Sequence, residues 1–206
     1  GYGYMPFFAY REQMLSDLSA WLDKLPAPAP DAVRVACIGD SITDGHGIDL
    51  RTANGYPAQM QTMLGDGYFV KNLGVSARTM MTTGDLPYTN ELAWEDALAF
   101  QPDVVVIKLG TNDTKTHNWT GRKAFSADLQ KMIDALKALP SKRRILLCTP
   151  IPAIKDSGTN NEKLIVEEEI PAIEAAAKKN KLEVIDLHTA FTGQEALYQE
   201  DGIHPT

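Results

Sequence analysis

Ser41, Asn112, Asp201 and His204 are the side chains of this sequence whose types suit hydrolytic chemistry. A serine hydroxyl becomes a nucleophile when a base takes its proton and a third group orients that base. Donors must also face the oxyanion that develops. His204 can be the base. Asp201 lies three positions earlier, across a turn containing Gly202, and can reach the second ring nitrogen. The Asn112 carboxamide and the backbone N–H groups of Ser41 and Gly74 are candidate oxyanion donors. Gly74 suits that task because a residue without a side chain lets substrate approach the backbone. Taken alone, Ser41 within Gly39-Asp40-Ser41 reads as an ordinary turn residue, since turns use Gly, Asp and Ser freely.

These residues are far apart in sequence, so a fold must gather them. Strand-like and helix-like runs alternate from Asp31 onward. Val33–Ile38, Tyr68–Leu73, Val104–Leu109, Arg144–Thr149 and Leu182–Leu187 read as five strands, most of them stopped by Gly or Pro. The β-branched run Val104-Val105-Val106-Ile107 marks a central strand buried on both faces. Helical spacing or composition falls on Tyr56–Leu64, Glu91–Phe100, the stretch around Phe125–Leu136, and 163–180. Strands separated by helices imply a parallel sheet with helices on both faces. Such a sheet delivers every strand-end loop to one edge, where chemistry sits in open α/β sheets. The loops after Gly39, Gly74 and Gly110, together with the tail around Asp201–His204, therefore converge.

The blocks Gly39-Asp40-Ser41, Gly74, Gly110-Thr111-Asn112-Asp113 and Asp201-Gly202-Ile203-His204, in this order, resemble those of the GDSL, or SGNH, hydrolases. The resemblance runs over residues 33–206. It implies a flavodoxin-like, three-layer αβα fold whose five-stranded parallel sheet has strand order 2-1-3-4-5. It also implies Ser41, Gly74, Asn112 and His204 as the signature residues, with Asp201 completing a triad. Ile42 stands where the family name has Leu. Thr149-Pro150-Ile151-Pro152-Ala153, Asp186-Leu187-His188 and Asn118-Trp119 are similar to the carbohydrate O-acetylesterases of the sialate or xylan type. Members usually continue past the His block into a helix that covers the sheet, whereas this sequence ends at Thr206. The pattern differs from the G-x-S-x-G elbow of α/β-hydrolases, because Thr43 occupies the second glycine's place.

The implied activity is hydrolysis of acetyl esters on carbohydrates, with no cofactor. A lysophospholipase or thioesterase on the same machinery is the alternative. A flavodoxin-like flavin or phosphate binder at Ser41-Ile42-Thr43 is the non-enzymatic one, and it leaves Asn112, Asp201 and His204 unexplained. Asp40, His46, Tyr56 and Trp119 are candidate substrate contacts. For Asp40 the competing role is to hold its loop by side-chain to backbone bonds. For the aromatics it is to pack the loops. His46, His117 and His188 each read as surface or loop histidines rather than ligands, and His46 and His117 lie on active-edge loops. Asp113 reads as a structural acceptor.

The 206 residues suffice for one domain with a sizeable core. The net charge of −7 argues against a nucleic-acid or anionic-membrane surface. Cys37 and Cys148 sit in apolar runs and read as buried thiols. No histidine or cysteine pair has metal-ligand spacing. Met14, Leu15, Leu18, Trp21, Leu22 and Leu25 form one apolar helical face, followed by the stiff spacer Pro26-Ala27-Pro28-Ala29-Pro30. Residues 1–30 are thus expected to form an arm before a domain over 31–206, with the arm's helix packed on the sheet. No apolar run is long enough to span a bilayer. No signal peptide is visible in residues 1–10, and the resemblance favours a secreted or periplasmic setting.

Overall fold

Five short apolar runs pair into one parallel sheet in the computed structural model, which describes residues 29–140, 143–155 and 160–206. The strands are β1 (Val33–Gly39), β2 (Tyr68–Gly74), β3 (Val104–Lys108), β4 (Arg144–Cys148) and β5 (Glu183–Ile185). Their order is 2-1-3-4-5, with every neighbouring pair parallel. This is the expected topology. Gly39 is in register with Gly74 on one side and Lys108 on the other. The first three strands therefore end level, and their loops leave from one edge.

The helices are α1 (Ser41–Asp44), α2 (Arg51–Asn54), α3 (Tyr56–Leu64), α4 (Leu92–Ala99), α5 (Arg122–Lys137), α6 (Glu162–Leu164), α7 (Ile170–Asn180) and α8 (Leu187–Phe191). Alternate strand residues face opposite sides. Ala36, Ile38, Val105, Ile107, Ile145 and Leu147 build the larger core with Ala97 of α4, Phe125, Leu129 and Ile133 of α5, and Ile173 of α7. Leu136 of α5 is fully buried; its truncation to Ala costs about 2–5 kcal/mol. On the other face Val35, Cys37, Val106 and Cys148 pack with Tyr56 and Met60 of α3 and Leu187 of α8. An apolar hollow of about 390 Å³ lies on this side, lined by Met60, Val106, Cys148, Ile151, Ile185 and Phe191 among others. Both cysteines are free and buried. Burial pushes each thiol up to about 12.

Three differences from the sequence reading are local. The helix expected over 163–180 is interrupted by a π-helical turn, Ile165–Glu169. Pro171 has no N–H, so the Glu167 carbonyl loses its helical partner. The Arg122 guanidinium donates to that carbonyl instead. The strand expected to reach Leu109 stops at Lys108, and the fifth strand shortens to three residues. Helices α1, α2 and α8 hold only four or five residues, too few to show a period. A compact unit spans Asp31–Thr206. Residues 1–28, with the helix expected over Met14–Leu25, lie outside the described residues.

Candidate active site

Ser41 opens α1 just past the end of β1. Gly39 permits the approach, because a Cβ there would fall 1.9 Å from Thr43 Oγ1 and 2.8 Å from the Lys108 carbonyl oxygen. Asp40 is the N-cap, its Oδ1 accepting from the Ile42 N–H at 3.0 Å. Gly45 ends the helix in the left-handed conformation, φ 88°. The nucleophile candidate therefore stands on a short turn clamped at both ends.

The tail supplies the partners. His204 Nε2 lies 2.7 Å from Ser41 Oγ, and His204 Nδ1 lies 2.6 Å from Asp201 Oδ2. The second oxygen, Asp201 Oδ1, accepts from the Ile203 N–H at 2.9 Å and the His204 N–H at 3.0 Å. Burial works against the charge on Asp201. The hydrogen bonds from the His204 backbone, the His204 ring and the Ile203 backbone outweigh it and hold the carboxyl down to about 2. Asp201 is therefore an anion at neutral pH and favours a proton on Nδ1, which leaves Nε2 as the acceptor facing serine. Gly202 sits at φ 70°, the left-handed turn that lets residues 201 and 204 meet.

A cavity of about 350 Å³ opens over this chain of bonds. Ser41, His46, Asn112, Asp201 and His204 line it, together with Ser76, Ala77, Thr111, Lys115 and Asn160. Asn112 Nδ2 donates to the Arg78 carbonyl at 3.1 Å, which fixes the plane of the carboxamide. The His46 ring leans on that of His204, with centroids 4.7 Å apart and planes 48° apart.

Gly74, expected as an oxyanion donor, lies away from the cavity. Its N–H donates to Asn72 Oδ1 at 2.9 Å, and it does not line the cavity. A Cβ on Gly74 would fall 2.1 Å from the Asp44 nitrogen, so the glycine is required for β2 to pass close to α1. The second loop presents Ala77 instead. Ala77 adopts φ 69°, uncommon for a residue with a Cβ. Its N–H has no acceptor among the described residues. Nothing in the sequence marks an alanine for this position.

Three of the four candidate substrate contacts belong elsewhere. Asp40 is fully buried and paired with the ammonium of Lys108 at 3.1 Å. Trp119 packs on Phe125, ring centroids 6.0 Å apart, at the margin of the larger core. Tyr56 bonds Thr43 Oγ1 through its hydroxyl at 3.1 Å and lines the apolar hollow. His46 alone of the four reaches the cavity. His117 pairs with Asp85 and His188 with Glu162, and neither lines it.

Asp113 is a structural acceptor, but between loops. Its two carboxyl oxygens take the Met80 and Met81 N–H groups at 2.8 and 2.7 Å, tying the third loop to the second. Burial pushes this carboxyl up to about 7, against the pull of those bonds. Glu169, at the end of the π-helical turn, is fully buried with neither carboxyl oxygen partnered. Burial raises it well above the carboxylate range, and the nearby Asp113 adds to the rise. Gly110 leaves room for it, since a Cβ there would stand 3.2 Å from Glu169 Oε2. Among the described residues no cluster of three His, Cys, Asp or Glu side chains could hold a metal ion. No helix among them is long and apolar enough to cross a membrane.

Comparison with known proteins agrees with this fold. The model of the GDSL-like lipase/acylhydrolase family matches residues 37–206. An acetylxylan esterase of Xylanibacter ruminicola is 53% identical over 222 aligned positions, which cover 100% of this chain and 46% of that protein. The chain thus spans about half the length of this curated relative. Among solved structures, Est24, a carbohydrate acetylesterase from Sinorhizobium meliloti, superposes with a TM-score of 0.67 at 24% identity, over 84% of this chain and 91% of that one. A catalytic mutant of Axe2, an acetylxylan esterase from Geobacillus stearothermophilus, gives 0.65 at 22% identity, over 87% and 90%. At such identities these two structures bear on the fold alone. The matched model covers most of the sequence, and the chain belongs to the GDSL-like lipase/acylhydrolase family.

Proposed function

We propose that this domain is a serine esterase that removes acetyl groups from carbohydrates. The observation that carries the reading is the unbroken run of hydrogen bonds Ser41 Oγ–His204 Nε2 and His204 Nδ1–Asp201 Oδ2, open to a cavity that Asn112 also lines. Ser41 Oγ attacks the ester carbonyl while His204 Nε2 takes its proton. The tetrahedral oxyanion is held by the Asn112 carboxamide and by the N–H groups of Ser41 and Ala77, the last in place of Gly74. His204 returns the proton to the leaving alcohol oxygen, and the acyl group stays on Ser41. Water then attacks, its proton passes to His204, and the acid leaves as serine is restored. Asp201 stays ionised and stabilises the imidazolium in both steps.

The substrate class rests on the cavity lining and on the relative. His46, Asn112 and Lys115 bring polar side chains to the cavity, and among the described residues no run of long apolar side chains lines it as an acyl channel would need. A long chain needs such a channel, since each buried CH₂ is worth about 0.8 kcal/mol. The 53% identity to a protein named for deacetylating xylan points the same way. The alternative of a lysophospholipase or thioesterase draws on one observation. The apolar hollow reaches Ile42 and Pro205, the neighbours of Ser41 and His204.

The test compares kcat/KM on p-nitrophenyl acetate, butyrate and octanoate, then acetate release from acetylated xylo-oligosaccharides. Decline with chain length and release from the sugar support the proposal. A rise toward octanoate moves the assignment to the alternative and leaves the roles of Ser41, His204 and Asp201 in place.

A further inference from the structure

Lys108 ends β3 with 1% of its surface exposed. Lysine is almost never fully buried unless it is paired. Its ammonium donates to Asp40 Oδ1 at 3.3 Å, Asp40 Oδ2 at 3.1 Å and Thr111 Oγ1 at 2.8 Å. Asp40 immediately precedes Ser41, and Thr111 immediately precedes Asn112. Asp40 Oδ1 also caps α1 through the Ile42 N–H. The Thr111 carbonyl in turn accepts from Thr114 Oγ1 and Asn160 Nδ2. One ammonium thus joins the turn that carries the nucleophile, the loop that carries the oxyanion amide, and through Thr111 the loop of Asn160.

We propose that Lys108 is a positioning residue of the esterase reaction, holding Ser41 and Asn112 in register through Asp40 and Thr111. The inference rests on the esterase reading above. Stability does not by itself account for the pair, because apolar residues of similar volume often replace a buried ion pair at no loss. The chemistry does account for it. Attack on a carbonyl requires the serine oxygen to meet the carbonyl carbon while the oxyanion donors meet the carbonyl oxygen, two points joined by one bond. An error of about 1 Å in such a geometry costs about a hundredfold in rate. Hydrogen bonds from a single charged group fix two loop residues more tightly than apolar packing does, because they are directional and charge-assisted. The surroundings suit the role. Asp113 and Glu169 are fully buried nearby, yet the hydrogen bonds of the Lys108 ammonium go to Asp40 and Thr111.

The test measures kcat, KM and Tm on p-nitrophenyl acetate for wild type, S41A, T111V, K108M and the double variant K108M/T111V. T111V removes one acceptor and leaves no unpaired charge, so it keeps the question answerable if K108M does not fold. The expected result is a roughly tenfold fall in kcat for T111V and a roughly hundredfold fall for K108M. KM should stay near wild type in both, and T111V should fold with a lower Tm, since one donor of the buried ammonium loses its acceptor. The double variant should be no slower than K108M, because both substitutions break one link. A wild-type kcat in T111V and K108M overturns the inference, as does a loss confined to KM or to Tm, provided S41A is inactive. An S41A protein with full activity is a separate failure, since it removes the esterase reading and this inference with it.

Discussion

The ring of His46 rests against the ring of His204, centroids 4.7 Å apart, and both side chains line the cavity. His204 is held at Nδ1 by Asp201 and faces Ser41 at Nε2, and the His46 ring is a further contact on it. H46F should keep kcat within about threefold of wild type, because ring packing is retained. H46A should lower kcat by roughly tenfold with the Tm unchanged. Steady-state kinetics on p-nitrophenyl acetate distinguish the two, and equal activities would show that the ring contact is idle.

Loss of the reacting groups should separate cleanly from loss of fold. S41A and H204A should lower kcat by several orders of magnitude with native circular dichroism. N112A should cost about 10²–10³, the usual loss for one oxyanion donor. D201N should keep the geometry but lose the charge that fixes the His204 tautomer, costing about 10²–10⁴. Activity of S41A at the wild-type level would refute the scheme.

Ala77 carries backbone strain that a glycine would relieve. An L-residue in the left-handed region costs about 1–2 kcal/mol, and glycine's extra unfolded-state freedom returns about 0.4–1 kcal/mol of that. A77G should therefore raise the Tm slightly and leave kcat near wild type, since the N–H is kept. G74A should do the opposite and lower the Tm, because its Cβ would meet the Asp44 backbone. Thermal unfolding of the two variants side by side checks both signs.

Asp113 and Glu169 predict how stability depends on pH. Unfolded, both carboxyls lose their protons near pH 4, about the ordinary value. Folded, Asp113 holds its proton up to about 7 and Glu169 is likewise shifted upward. The folded state binds more protons across that window. Their penalty is absent below about pH 4 and grows as pH rises toward and past 7. Asp201, depressed to about 2, acts oppositely, and its contribution is lost only as pH falls from about 4 through 2. Melting at pH 5 should thus exceed melting at pH 8. E169Q should narrow the difference, and an unchanged gap would show that Glu169 is ionised in the fold.

The sequence by itself determined the sheet and the edge to which its loops are delivered. Strand and helix signals are local: β-branched runs, Gly and Pro stops, and apolar spacing are written in consecutive residues. Ser41, Asn112, Asp201 and His204 were legible as candidates because their residue types suit hydrolysis, and parallel strands fix where their loops must go, which is one cavity. What the sequence could not carry is direction. Whether Gly74 or Ala77 turns its N–H to the cavity depends on φ and on whether Asn72 takes the hydrogen bond. Trp119 faces the core because Phe125 is there to receive it, not because of its neighbours in sequence. The Lys108–Asp40 pair joins residues 68 positions apart, and Asn160 reaches Thr111 across 49. Such contacts are decided by how the layers pack, since a side chain's partner depends on distances that only the folded chain sets.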